Sequence, residues 1–582
     1  MAASADRAAI QARDYHARVT NPDDGVTIAI TVMQPALSAQ QTAPLLLHGH
    51  GFGGSRLTGR ADPALYETLS GGALPSTEAA RRAADDGYFV ISFDQRGFGE
   101  SGGHVHIMDP TIEGADIAAL LDWAEHEMTH ADRLMRRDGH IVVGGLGLSY
   151  GGGFQLTGAT LDARFSAIVP TATWHDLCYS LAPENVVKTL WGSALVALGL
   201  PTSGVKLDPI MYHALLQGLA SPLTGRGISD RVARRLRAHS PVAMFARRED
   251  DDADCAPGAD ALLVQGVGDT LFNLNEAVAN MQALRRAGRD VHLLIMRHGH
   301  SLPFLEDINR IAYETDDRLE RGDQPVETAA LELAYLDWKL KGHDAPALLP
   351  RVTVMLDDAT VLSFDDLPTV DSPTHEFSGR AATGGLDLLK GVLREDTLAG
   401  LWHVARTAGT NAREQIGQWL SGDDRQRSDD NTALLARLVN ALPADYIDEL
   451  ASGGVFLPVY DVETTGDALI GIPIVDITLS GGGPAPVVFV GIGIERAGRH
   501  TTMLVNDQIR PIRPRPGGGR RRVELNGVAI RLEPGDRVGL LVYGYHPQFL
   551  ASFSAIPGHV DVAGQLGLPR VRIADHAPQN DC

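Results

Sequence analysis

The ten residues Gly144-Gly145-Leu146-Gly147-Leu148-Ser149-Tyr150-Gly151-Gly152-Gly153 decide how this chain is read. They follow the short apolar run Ile141-Val142-Val143, a buried-strand signal, and lead into a predicted helix. Within them Gly147-Leu148-Ser149-Tyr150-Gly151 fits G-x-S-x-G, the nucleophile elbow, where a strand turns sharply into a helix. Such a turn strains the serine backbone, and glycine leaves room on either side of it. It lifts one hydroxyl out of the sheet and sets it over a helix N-terminus, whose dipole and free N–H groups favour a developing anion. Glycine and serine also crowd into ordinary loops, so the flanking strand and helix carry the assignment.

Outward from the elbow, residues 15 to 165 alternate strand and helix. Val26 to Met33, Pro44 to Leu47, Tyr88 to Phe93 and Ile141 to Val143 read as strands. Thr77 to Asp86 and Thr111 to His126 read as helices, the second with Ile112, Ile117, Leu120, Leu121 and Trp123 near one face. This rhythm predicts a parallel sheet covered on both faces. Residues 171 to 250 break it and predict an inserted helical cap. It resumes with a strand at Ala261 to Val264, a helix at Asn275 to Ala287, a strand at Val291 to Met296 and a closing helix at Thr328 to Leu340.

Beyond Pro350 the character changes. Arg351 to Phe364 is strand material, about 385 to 450 is polar and helical, and from Val455 onward short strands alternate with Gly/Pro turns, the pattern of a β-sandwich. The expected division is therefore a catalytic α/β domain at 15–349, with its cap at about 171–250, and a β domain at 350–582. A length of 582 residues is itself too great for one core.

The formal charge of −22 argues against a nucleic-acid partner. The densest basic cluster, Arg510 to Arg522, contains prolines and three consecutive glycines and reads as a solvated loop or hairpin tip. Cys178, Cys255 and Cys582 are too widely spaced for a disulfide framework or a zinc site. No apolar run is long enough to span a membrane, and Met1 to Arg13 lacks the apolar centre of a signal peptide, so a cytoplasmic location is expected, with a secreted form whose signal has been removed as the alternative.

A serine hydroxyl needs a base, and the base an orienting carboxylate. In this kind of sheet they follow in the order Ser, Asp/Glu, His, each at the C-terminal end of a strand. Asp269 follows the strand 261–264, where it could equally cap a turn. His298 and His300 both follow the strand 291–296. The tetrahedral oxyanion needs two N–H donors. Tyr150, next to the serine, supplies one, and the loop His48-Gly49-His50-Gly51-Phe52-Gly53-Gly54-Ser55 the other, from Phe52 first and His50 second. The paired histidines at 48/50, 104/106 and 298/300 lack a metal-ligand spacing, so neither metal nor cofactor is expected. Asp94 and Arg96, in Asp94-Gln95-Arg96-Gly97-Phe98-Gly99-Glu100-Ser101, are expected to pin a neighbouring loop.

These motifs, in this order, resemble the Xaa-Pro dipeptidyl-peptidase and cocaine esterase family of α/β-hydrolases. The likeness rests on Asp24-Gly25-Val26, Gly49 to Ser55, Asp94 to Gly103, Glu113 to Asp116, the elbow, Thr173 to Leu177, Gln265 to Phe272 and Gly299-His300-Ser301. Leu532 to Leu540 is similar to part of the family's C-terminal jelly-roll domain. The resemblance implies His300, followed by serine, as the base, with Ser149 and Asp269 completing a triad. Cocaine-esterase-like members use a tyrosine hydroxyl as an oxyanion donor; Phe52 implies a backbone donor instead. The expected activity is hydrolysis of a carboxylic ester through an acyl-enzyme, on a small-molecule ester or peptide substrate. The alternatives are a dipeptidyl-peptidase or amide/amino-acid ester hydrolase, with Glu184 or Asp176 as acids for a substrate ammonium, acyl transfer by the same triad, or a binding protein that has lost turnover.

Overall fold

A computed structural model describes residues 7–61, 74–250, 258–297, 299–300, 318–321, 324–384, 454–482, 486–499, 502–514, 518–550, 552, 554 and 556–576. The expected helical section at about 385 to 450 and His298 lie outside the described residues.

A ten-stranded sheet carries the first domain. Its strands are β1 (Arg13–Thr20), β2 (Thr27–Gln34), β3 (Leu45–Gly49), β4 (Phe89–Phe93), β5 (Val143–Leu148), β6 (Phe165–Thr171), β7 (Asp260–Gly266), β8 (Val291–Met296), β9 (Val352–Met355) and β10 (Val361–Phe364). They lie in the order β1-β2-β4-β3-β5-β6-β7-β8-β9-β10. From β4 through β9 neighbouring strands are parallel. The central strands β3, β4, β5 and β8 are buried along their whole length, as a parallel sheet covered on both faces requires.

Helices α1 (Pro75–Asp85), α2 (Glu113–His126) and α3 (Tyr150–Leu161) follow β3, β4 and β5. Helix α1 begins two residues earlier than its periodicity suggests, because Pro75 is pre-organised for the first helical turn. The cap lies between β6 and β7 as expected. It comprises α4 (Leu177–Leu181), α5 (Thr189–Thr202), α6 (Pro209–Leu219), α7 (Ser221–Thr224), α8 (Asp230–Ala238) and α9 (Pro241–Asp250). Then α10 (Leu274–Arg286), N-capped by Asn273, and α11 (Thr328–Leu336) complete the layers.

Strand β5 is longer than the Ile141–Val143 run, continuing through Gly144, Gly145 and Gly147 to Leu148. Propensity reads glycine as a loop former, but here the neighbouring strands hold it in the sheet. Strands β9 and β10 lie beyond the expected division at residue 350, yet β9 pairs with β8 and β10 with β9. The division therefore cuts through the catalytic sheet, and the second domain's own sheets begin at His375.

That domain is antiparallel. Four strands, His375–Thr383, Gly558–Gly567, Ile474–Gly481 and Arg521–Glu524, form one sheet. A second contains Val455–Asp461, Arg537–Tyr543 and Val488–Glu495, with two short strands at its side. Alternate residues, such as Val475, Ile477 and Leu479, face a shared core with Val490, Ile492 and Leu540, the side-chain arrangement of a β-sandwich.

Candidate active site

Ser149 stands between β5 and α3 with φ 60° and ψ −114°, a conformation rarely adopted outside glycine. The surroundings over-determine it. Its N–H donates to the Thr171 carbonyl (2.8 Å), and its carbonyl accepts from Gly152 N–H (2.8 Å), Gly153 N–H (3.0 Å) and the Thr173 hydroxyl (3.0 Å). A Cβ on Gly147 or Gly151 would collide with the Gly49 carbonyl oxygen, so the elbow and the loop after β3 interlock through bare backbone.

That loop makes a turn closed by Gly54 N–H to the Gly51 carbonyl (2.9 Å), with Phe52 and Gly53 at its corners. Gly53 has φ +77°, as the third residue of a type II turn needs. The Phe52 ring packs edge-on against Phe98 (5.1 Å) and Tyr150 (5.6 Å), tying the turn to the residue after the serine. The Tyr150 hydroxyl donates to Glu113 (2.9 Å) and accepts from Met108 N–H (3.0 Å). His50, the second candidate in this loop, has both ring nitrogens engaged. Nε2 accepts from Gln95 N–H (2.9 Å), so Nδ1 carries the hydrogen and donates to the Gly51 carbonyl (2.7 Å). Burial lowers the pKa of His50 and pushes that of His48 down to about 3, keeping both neutral.

Asp269 and His300 follow β7 and β8, at the same end of the parallel sheet as Ser149. His300 Nδ1 lies 2.7 Å from Asp269 Oδ2, while Asp269 Oδ1 accepts from Leu271 N–H (2.9 Å) and Phe272 N–H (2.7 Å). The carboxylate thus forms the turn and holds the imidazole, one oxygen for each. Because Asp269 only accepts, the His300 proton sits on Nδ1 and leaves Nε2 with its lone pair. Trp191 and Phe272 stand edge-on to the imidazole, at ring-centre distances of 6.1 and 5.4 Å. Thr270 N–H donates to the His300 carbonyl (3.0 Å), joining the acid and base loops through backbone as well.

Asp94 and Arg96 pin loops as expected. Asp94 accepts from the Arg56 guanidinium and from Glu100 N–H (2.9 Å), and Arg96 bridges Asp24 (2.6 Å) and Asp116 (2.6 Å). The acids put forward for a substrate ammonium are committed elsewhere. Asp176 caps α4 and pairs with Arg237 (3.1 Å); Glu184 is held by Arg521 through both oxygens (2.9 and 2.8 Å). The sequence predicts Arg521 and Arg510 in a solvated tip. They are instead largely buried and fasten the β domain to the cap, because Glu184 supplies a charge the local sequence does not announce. Among the described residues no group of three or more His, Cys, Asp or Glu side chains is arranged to hold a metal ion, and no helix is long and apolar enough to cross a membrane.

Two buried polar side chains at this site escaped the sequence reading. Lys188 of the cap and Gln508 of the β domain both reach the turn that carries Asp269. Lys188 had a faint signal, lying in Val186-Val187-Lys188-Thr189-Leu190-Trp191 among apolar residues. Gln508 had none.

A parallel sheet with this strand order, a strained serine elbow and an Asp–His pair at neighbouring strand ends define a serine hydrolase of the α/β-hydrolase class. Residues 24–302 match the model of the X-Pro dipeptidyl-peptidase (S15) family. The fold of the whole chain is similar to that of a CocE/NonD family hydrolase from Staphylococcus aureus (12% identity, TM-score 0.58, 97% of each chain covered). It is also similar to an alpha-amino acid ester hydrolase (12%, 0.59, 96% of this chain and 97% of the other). An aminopeptidase from a marine sediment Thaumarchaeota archaeon shares the fold as well (14%, 0.56, 96% of each chain). An uncharacterized 31.7 kDa protein of Escherichia coli is 31% identical over 97 residues, which is 17% of this chain. That match spans 31% of the Escherichia coli protein's length.

Proposed function

We propose that the enzyme hydrolyses a carboxylic ester through an acyl-enzyme on Ser149. The observation that carries the reading is the 2.7 Å contact between His300 Nδ1 and Asp269 Oδ2 at the strand ends beside the elbow. As Ser149 Oγ attacks the ester carbonyl carbon, its proton passes to His300 Nε2, and Asp269 stabilises the imidazolium that forms. The carbonyl oxygen becomes an oxyanion that accepts from the Tyr150 and Phe52 backbone N–H groups. Collapse breaks the bond to the alkoxy group, which takes the proton from His300 and leaves as an alcohol. Water then attacks the acyl-enzyme by the same path, releasing the carboxylic acid and restoring Ser149.

The family match favours a second reading, cleavage of a peptide or amino-acid amide by the same triad. That chemistry calls for a carboxylate free to receive a substrate ammonium. Glu184 and Asp176, the acids nominated for this, are tied to Arg521 and Arg237, which places the ester reading first. Kinetics of wild type and Ser149→Ala on short- and medium-chain p-nitrophenyl esters, beside Ala-Pro p-nitroanilide, test both. Ester turnover that disappears in the variant, without anilide cleavage, is the expected result. Comparable anilide cleavage moves the assignment to the peptidase reading, and ester exchange with an added alcohol reveals acyl transfer.

A further inference from the structure

The turn Val267–Phe272, which bears Asp269, meets donors from two other parts of the chain. Gln508, in the β domain, donates through Nε2 to the carbonyls of Val267 (2.8 Å) and Asp269 (3.0 Å). Lys188, in the cap just before α5, donates through Nζ to those of Thr270 (2.7 Å) and Leu271 (3.1 Å). Gln508 is 2% exposed and Lys188 3%. The Gln508 oxygen is itself fixed by Asn526 Nδ2 (3.2 Å). The approach to Gln508 is strained: Asn506 and Asp507 have φ of 51° and 55°. Successive non-glycine residues in this region persist only where the surroundings hold them.

Packing alone does not account for Lys188. A buried ammonium bonded to neutral carbonyls carries a desolvation cost that an apolar side chain of the same length would avoid. Burial depresses its pKa to about 8, with Asp269 and Glu276 opposing that fall and Arg510 adding to it. Asp269, at 0% exposure, is the nearest use for the charge, since a carboxylate without solvent needs compensation beyond its hydrogen bonds.

We propose that Lys188 and Gln508 are positioning residues for the Asp269–His300 pair, locking the acid turn between cap and β domain and setting the Lys188 ammonium as a positive charge near the Asp269 carboxylate. The inference rests on the triad described above. Among the charges around Lys188, Asp269 and Glu276 attract it and Arg510 repels it, and Asp269 also holds His300. Removing the charge takes a cation away from the neighbourhood of the Asp269–His300 pair.

The test is kcat and KM for p-nitrophenyl butyrate from about pH 5 to 9, on the full chain, in Lys188→Met, Lys188→Arg, Gln508→Leu and Ser149→Ala. Lys188→Met is expected to lower kcat about tenfold or more with KM within about twofold. Its acid limb of kcat/KM should move up by about half a pH unit or more, and Lys188→Arg should restore the limb. Gln508→Leu should lower kcat without moving the limb, because it changes no charge. A Lys188→Met enzyme with the wild-type limb and kcat overturns the electrostatic role; wild-type kcat in Gln508→Leu overturns the clamp. Should Lys188→Met fail to fold, the limb in Lys188→Gln replaces it, and Gln508→Leu still decides the clamp. Turnover surviving in Ser149→Ala sinks the nucleophile beneath both, whereas an inactive Ser149→Ala beside unaffected Lys188 and Gln508 variants refutes the inference alone.

Discussion

The elbow and the acid turn sit at the same end of one sheet, yet they are held in opposite ways. The elbow is fixed mainly by backbone: one strand, one helix, the Thr171 carbonyl and the glycines that let the Gly49 carbonyl come close. The acid turn depends on Lys188 and Gln508, 81 and 239 residues away from Asp269. Geometry set by backbone sterics is written where it acts. Geometry set by a distant donor is written elsewhere, in a residue that looks ordinary in its own stretch of chain.

The largest effects expected from this comparison fall on the reacting groups themselves. Ser149→Ala should lower kcat on p-nitrophenyl butyrate by about 10⁴-fold or more, leaving only the contribution of binding and the oxyanion donors. Asp269→Asn should cost about 10³- to 10⁴-fold, because an amide can donate to His300 and so favours the tautomer that puts the proton on Nε2. An Asp269→Asn enzyme with near-wild-type kcat would break the assignment of the acid.

Gly151→Ala strikes the local kind of constraint. Its Cβ would meet the Gly49 carbonyl, and backbone cannot swing aside as a side chain can. A loss of about 3 kcal/mol in urea unfolding is expected, with activity falling even in the folded fraction. A stable, fully active Gly151→Ala would show that the elbow tolerates movement and that its glycines matter less than the contacts imply.

The smallest effect concerns Glu332 on α11, beneath β6. It is fully buried, receives one bond from Thr171 (3.3 Å), and has its other oxygen without a partner among the described residues. Burial pushes its pKa up to about 8. A carboxyl whose folded pKa lies above its unfolded value binds more protons when folded. Its stabilising contribution is therefore complete below about pH 4 and is lost as pH rises towards 8. Glu332→Gln removes this dependence, so its melting temperature relative to wild type should climb between about pH 5 and 8. A difference that stays flat across that range contradicts the assignment.

The same contrast explains what could be read from the chain. The strand 291–296 was read with its observed bounds because a continuous apolar run can do little else in a covered sheet. Ser149, Asp269 and His300 stand out in the sequence because each follows such a run, and the structure brings Asp269 and His300 into hydrogen-bond contact. Strands β9 and β10 were assigned to the wrong side of a boundary, since their strand character was plain but their partner β8 was not. Arg521 looked solvated because its neighbours are glycine, proline and arginine, and the carboxylate that buries it lies in the cap. Pairing across the fold, rather than local propensity, accounts for each of these differences.

The most direct test of the account is to label the full chain with a fluorophosphonate, which reacts only with an activated serine, and to map the adduct by peptide mass spectrometry. The account predicts a single adduct on Ser149 that forms rapidly in wild type and far more slowly in His300→Ala and Asp269→Asn. An adduct on another serine, or labelling of His300→Ala at the wild-type rate, would contradict it.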